Sequence, residues 1–214
     1  MIKTIYFIRH GQAESFSASE TPMDAALSSK GIEQCSFLKI EMKKHAPIEC
    51  VFTSSLTRAK ETADLIFSEI NHERIELDEL NELHCVGNWR SYSADEAELI
   101  NNQLLYRPVH ANNTGEQLFD FHERLNIAIN KIFNTPLSTI AVVCHLAVLN
   151  RIMEILFGLP KTHDSVTFIR FKHASYTRIK LIERDPTALE FPERLLMFEA
   201  INVFDHVTEP LRSA

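Results

Sequence analysis

Arg9, His10 and Gly11 stand together at the end of an apolar run. A guanidinium and a titratable imidazole at one point of the chain make a site for an anion, with a candidate nucleophile inside it. Gly11 lets the backbone turn sharply and pass close to a ligand. Two other places offer the same chemistry. Arg58 lies in the first turn of an expected helix, just after Ser54-Ser55, whose hydroxyls are expected caps. The helix dipole prefers a carboxylate there. An arginine in that place suits a bound anion; the bland reading is a solvated surface arginine. His145 follows a second apolar run and opens a helix, whose first N–H groups attract anions. Its bland reading is a hydrogen-bonded core histidine. Arg-His-Gly alone is short enough to recur by chance, so the weight rests on the conjunction.

The elements that must position these residues follow from periodicity. Ile2 to Ile8 is apolar, β-branched and aromatic, as expected of a core strand. A polar loop runs from Gln12 to Ala26. The spacing predicts a helix from Gly31 to Lys44, a strand from Glu49 to Thr53, a helix from Leu56 to Ile70 and a strand from Arg74 to Leu77. Ser93-Ala94-Asp95-Glu96 reads as a capping box opening a helix toward Tyr106. Gly115-Glu116 opens another, with Leu118, His122, Leu125, Ile129 and Ile132 on its face. Ser138 to Cys144 is a second buried strand. A helix from Leu146 to Phe157 follows, closed by Gly158 and Pro160. Val166 to Phe171 and Tyr176 to Ile182 are candidates for a terminal strand pair. The pattern beyond Pro192 is ambiguous. Strands alternating with helices predict an α/β fold, a three-layer α/β/α sandwich with a mostly parallel sheet. In such a sheet the ends after Ile8, Thr53 and Cys144 share one edge, which brings His10, Arg58 and His145 together.

Bulk properties narrow the functional classes. The chain has 214 residues, 45% of them hydrophobic and 24% charged, with net charge -7. This suits one globular unit over residues 1–214. The negative balance disfavours nucleic acid or an anionic membrane as partner, so positive charge for an anionic ligand must be concentrated in a pocket. Four cysteines form no C-x-x-C pair and no zinc-like spacing. Free thiols and the lack of a signal-like or membrane-length apolar stretch point to the cytoplasm.

Further motifs accompany the three sites. Leu27-Ser28-Ser29-Lys30-Gly31-Ile32-Glu33-Gln34 fits L-[ST]-x-x-G-x-x-Q. Ser54-Ser55-Leu56-Thr57-Arg58-Ala59-Lys60-Glu61-Thr62-Ala63 fits S-x-L-x-R-A-x-x-T-A. Leu80-Asn81-Glu82, Gly87-Asn88-Trp89, Gly115-Glu116-Gln117 and Val142-Val143-Cys144-His145 follow in order. Across almost its whole length the chain therefore resembles the histidine phosphatase, or phosphoglycerate mutase-like, superfamily. The resemblance implies a phosphomonoester hydrolase acting through a phosphohistidine intermediate on a small phosphorylated metabolite. His10 would be the nucleophile. Arg9, Arg58 and His145 would clamp the phosphoryl oxygens. Glu82, otherwise readable as an exposed loop glutamate, would protonate the leaving oxygen and then activate water. No metal or other cofactor is implied.

The chain departs from the family pattern in three places. Phe16 stands where the family often has an asparagine, leaving Ser15 as a candidate substitute. Leu146-Ala147 replaces glycines after the last histidine, so a ligand there would meet helix N–H groups beginning with that of Leu146. Gln117 replaces a serine. Residues from about 83 to 114, with Trp89 and Arg90, are a candidate substrate rim. The roughly thirty residues between Glu82 and Gly115 hold one helix and its loops. Mutases of the family carry a long insertion there, so a phosphatase is favoured over phosphoglycerate mutase-type transfer. A decayed phosphate-binding module is the remaining alternative. A cysteine nucleophile is disfavoured, because no Cys–Arg spacing fits C-x5-R. The substrate's identity and the oligomeric state are not legible.

Overall fold

The computed structural model describes residues 1–14, 24–69, 73–83, 116, 118–159, 169–183 and 194–212. Among them, six strands form one sheet: β1 (Ile2–Arg9), β2 (Cys50–Thr53), β3 (Glu73–Glu76), β4 (Thr139–Cys144), β5 (Tyr176–Glu183) and β6 (Arg194–Val203). Their order is β3-β2-β4-β1-β5-β6. The first four lie parallel, and β5 and β6 add antiparallel at one edge. Among the described residues, four helices cover the sheet: α1 (Ser29–Met42), α2 (Thr57–Phe67), α3 (Leu118–Asn134) and α4 (Leu146–Leu156).

Side-chain alternation along β1 divides the core in two. Ile5 and Phe7 point to one face, where Phe121, Leu125, Ile129 and Ile132 of α3 and Leu149 and Ile152 of α4 pack on them. Tyr6 and Ile8 point to the other, against Cys35 and Leu38 of α1 and Ala59, Ala63 and Ile66 of α2. This is the expected three-layer α/β/α arrangement. Gly158, at φ 72°, follows the end of α4, a backbone that glycine adopts at little cost.

Two expectations are corrected. Tyr176–Glu183 pairs with Arg194–Val203, in the stretch whose sequence pattern is ambiguous. Residues 166–168 lie outside the described residues, and Ile169 to Phe171 is not a strand. Side chains have taken its backbone groups: Asn150 brackets the N–H and carbonyl of Ile169 at 2.8 and 3.1 Å. Asn202 holds the Lys172 N–H and the Arg170 carbonyl at 2.8 and 3.0 Å. Groups satisfied this way have no need of a ladder. The second correction concerns α2. Ser54 and Ser55 are the caps its sequence suggests, but the first-turn donor of Thr57 goes to the carboxylate of Asp24. The Thr57 hydroxyl reaches the same group at 2.9 Å. The helix dipole therefore receives its carboxylate from a remote segment. The capping box at Ser93 lies outside the described residues.

Candidate active site

The parallel order β2-β4-β1 sets three strand ends side by side. Ladder bonds continue past them: the His10 N–H donates to the Cys144 carbonyl, and the Ser54 N–H to the Val143 carbonyl, both at 3.0 Å. The strand register thus fixes where His10, Ser54 and His145 leave the sheet. The rings of His10 and His145 are 5.0 Å apart.

His10 is buried and tightly oriented. Its Nδ1 lies 2.6 Å from the Gly11 carbonyl. A carbonyl only accepts, so Nδ1 carries the proton and Nε2 keeps its lone pair. Arg58 Nε donates to that lone pair at 3.3 Å. Burial, then His145, Arg58 and Arg9, hold the imidazole well below its usual pKa. His10 is therefore neutral at physiological pH.

The loop that carries His10 is held by its neighbours' backbone. A Cβ on Gly11 would lie 2.7 Å from the Gly31 carbonyl oxygen and 2.8 Å from Cys35 Sγ. One on Gly31 would lie 2.0 Å from the Gln12 oxygen. Only two glycines allow this approach of α1 to the loop. Hydrogen bonds then fasten it. The Gln12 carbonyl accepts from the Ser28 N–H at 2.9 Å and its hydroxyl at 3.1 Å. Gln12 N donates to Gln34 Oε1 at 2.9 Å, and Gly11 N to Thr62 Oγ1 at 3.1 Å. The motifs that supply Ser28, Gly31, Gln34 and Thr62 thus act physically by holding the loop of the imidazole.

Around His10 the cations are placed with equal economy. Arg9 Nη1 donates to the Phe171 carbonyl at 2.5 Å, and Nη2 to His173 Nε2 at 2.9 Å. Burial lowers the Arg9 pKa to about 10, which leaves it charged. His145 shares Nε2 with Ser54 Oγ at 2.8 Å. Ser54 gives its own proton to Asn81 Oδ1 at 2.6 Å, so the proton between the two belongs to His145 Nε2. His145 Nδ1 is buried without a partner among the described residues. Burial, Arg58 and Arg9 keep this ring neutral as well. Glu82 accepts from the Leu83 N–H at 3.0 Å and from the Ala147 N–H, in the first turn of α4, at 3.4 Å. Its charge favours the charged forms of Arg9 and Arg58. Leu146 is the first residue of α4. The structure thus brings together Arg9, His10, Arg58, Glu82, His145 and Leu146; Ser15 and Arg90 lie outside the described residues.

Sequence reasoning missed His173, whose ring centre is 5.6 Å from that of His10. Burial and the surrounding cations, Arg9 first, push its pKa down to about 2, so it is a neutral acceptor for Arg9. Nothing in its sequence surroundings marks it. It reaches the site because the turn before β5 doubles back, with Ser175 O accepting from Arg9 N at 3.0 Å and Ala174 N donating to His10 O at 3.2 Å. The thiols of Cys35 and Cys50 are pushed up to about 11 by burial, and that of Cys144 higher still. Thiols held in that form are poor nucleophiles. Among the described residues no group of three or more acidic, histidine or cysteine side chains is placed to hold a metal ion. No helix there is long and apolar enough to cross a membrane.

Comparison with known proteins bears on the fold and the family. No curated protein matches the chain. Solved structures do. Bacillus stearothermophilus YhfR superposes with TM-score 0.70 at 21% identity, over 95% of this chain and 98% of its own. The mycobacterial glucosyl-3-phosphoglycerate phosphatase gives 0.69 at 18% identity, over 94% and 99%. Phosphoglycerate mutase from Bacillus anthracis gives 0.66 at 19%, over 96% and 95%. At these identities the likeness is one of fold. The family model of the histidine phosphatase superfamily, branch 1, matches residues 5–193, and the chain belongs to that family.

Proposed function

We propose that the protein is a phosphomonoesterase that hydrolyses a small phosphorylated metabolite through a phosphohistidine on His10. The observation that carries this reading is the state of that ring: neutral, with Nδ1–H locked on the Gly11 carbonyl and the Nε2 lone pair facing Arg58. A phosphoryl group entering the site draws the Arg58 guanidinium onto its oxygens and uncovers the lone pair. His10 Nε2 then attacks phosphorus in line with the ester oxygen. The P–O bond breaks, and the leaving oxygen takes a proton from Glu82, which enters this step as the carboxylic acid beside the bound anionic ester and regains that proton in the water step. Water, deprotonated by Glu82, attacks the phosphohistidine; the P–N bond breaks and phosphate leaves. Arg9 and Arg58 neutralise the charge spread over the transferring group. His145, with Nε2 committed to Ser54, contributes through Nδ1, where the incoming anion favours a bound proton.

Turnover of p-nitrophenyl phosphate tests the proposal. His10→Ala is expected to lose at least ~10³-fold in kcat, as removal of a covalent nucleophile does. The trapped phosphoenzyme is expected to be acid-labile and alkali-stable. Equal, slow phosphate release from wild type and His10→Ala would favour a phosphate-binding module. The cations come from the chain, so activity is expected to survive chelators; a magnesium requirement would contradict the mechanism. The resemblance makes the short span from Glu82 to Gly115 the ground for preferring hydrolysis over transfer between positions of one substrate, while the Bacillus anthracis mutase, matched over 95% of its length, keeps transfer as the second reading. Rapid formation of 2-phosphoglycerate from 3-phosphoglycerate and a bisphosphoglycerate primer, without phosphate release, would reverse that choice. The free buried thiols of Cys35, Cys50 and Cys144 suit a reducing compartment such as the cytoplasm.

A further inference from the structure

Glu82 sits beyond the short helical turn Asp78–Leu80 and has no strand to fix it. Its position is set from another element. Arg124, on the second turn of α3, donates from Nη1 to the Glu79 carbonyl at 2.6 Å and from Nη2 to the Glu82 carbonyl at 3.3 Å. Those two carbonyls bracket the link from the helical turn to Glu82. The same guanidinium is held by the Glu116 carboxylate, through Nε to one oxygen and Nη2 to the other at 2.8 Å. Its carbon lies over the Phe121 ring, 4.6 Å from the centre. Arg124 and Glu116 are both mostly buried, with 20% and 16% of their side chains exposed. A planar fork spread over three acceptors on two segments has few other orientations.

We propose that Arg124, seated by Glu116, is a positioning residue for the proton donor Glu82. It touches neither the phosphoryl group nor His10. It fixes the backbone from which Glu82 reaches the Ala147 N–H, and so the point from which the proton is delivered. This rests on Glu82 being the acid, and it adds the device that aims it. Misplacement of a catalytic group by about 1 Å can cost on the order of 10²-fold in rate.

The test is a series of phosphate esters with leaving groups of rising pKa, from 2,4-dinitrophenol through p-nitrophenol to a simple alcohol, read as kcat/KM. Good leaving groups need no proton, whereas alkoxides do. Glu82→Gln is expected to lose ~10²- to 10⁴-fold on the alkyl ester and far less on the dinitrophenyl ester. Arg124→Lys keeps the charge but loses the fork. It is expected to follow the same pattern, about tenfold on the alkyl ester and under about twofold on the dinitrophenyl ester. Glu116→Gln is expected to do the same more weakly and serves if Arg124→Lys folds poorly. Competitive inhibition by inorganic phosphate, which reads the clamp around His10, is expected to stay within about twofold in both variants. A uniform loss across the series, or none, in both the Arg124 and Glu116 variants while Glu82→Gln shows the slope would overturn the positioning role alone. A flat response in Glu82→Gln itself would remove Glu82 as acid and Arg124's role with it.

Discussion

The two halves of the site are held by different means. The half around His10, the proposed nucleophile, is built on the sheet. His10 follows β1 by one residue, its N–H continues the ladder with β4, and its loop is clasped by Gly31, Gln34 and Thr62. The half around Glu82, the proposed acid, hangs on a short helical turn and a loop that Arg124, held by Glu116, ties to α3. Strand register tolerates little displacement. A loop tied by side chains can be retuned by one substitution. On the proposed mechanism, the fold would specify where phosphate is attacked, while the departure of the alcohol would be governed by a separate and softer attachment.

Gly31→Ala should break this contrast most forcefully. Alanine would gain about 1 kcal/mol in helix propensity. Its methyl would nevertheless lie 2.0 Å from the Gln12 oxygen, and displacing that backbone should cost about 1–3 kcal/mol or more. Thermal melting is expected to show the net loss. Activity should fall to a similar degree on every leaving group, in contrast to the graded response expected of Arg124→Lys. Thr62→Val comes next. It strips the buried Gly11 N–H of its acceptor, at about 1–3 kcal/mol, again without dependence on the leaving group.

Removing the neutral acceptor beside Arg9, by His173→Ala, should raise KM and the inhibition constant of phosphate about fivefold, with kcat changed less. His173→Asn, whose amide oxygen can accept from Arg9, should recover most of it; no recovery would count against this role. Acid sensitivity should weigh most on the His10 half, although burial also lowers the pKa of His45 and His206 outside it. His10, His145 and His173 all have folded pKa values below their unfolded ones. Between those values the unfolded chain binds more protons, so stability falls as pH drops below about 6.5. Melting temperature is expected to decline from pH 7 to 5, less steeply in His173→Asn. The smallest effect is that of Asp24→Ala, which removes the cap on α2 at about 1 kcal/mol. It should shift melting slightly and leave the leaving-group dependence unchanged.

Much of the nucleophile half is legible in the sequence because it depends on strand ends. Ile2 to Ile8 and Ser138 to Cys144 are apolar enough to name themselves as core strands. Once they are parallel neighbours, His10 and His145 must meet. Gly31, Gln34 and Thr62 are visible there only as letters of a motif; they act across the chain, by backbone approach and by hydrogen bonds to Gly11 and Gln12. His173 and Arg124 leave no such trace. One depends on a turn whose amides are bound by Asn150 and Asn202, the other on one face of a helix that reads simply as amphipathic. Asp24 caps a helix more than thirty residues away, a pairing that local spacing does not encode. The strand of Arg194–Val203 is obscure because its burial is incomplete, so its pattern of apolar residues is weak.

The hydrogen bond from Arg58 Nε to His10 Nε2 has a consequence for what the protein will react with. If His10 is the nucleophile, as proposed, its Nε2 electrons are already engaged before substrate arrives, and a group that attracts a guanidinium more strongly would release them. An anionic ester does so by arriving. An uncharged electrophile of the same shape, such as a phosphotriester, offers Arg58 no comparable inducement and meets an occupied nitrogen. On that reading selection by charge would precede selection by shape, and the resting protein would be shielded from neutral alkylating agents by the residue proposed to steady its substrate.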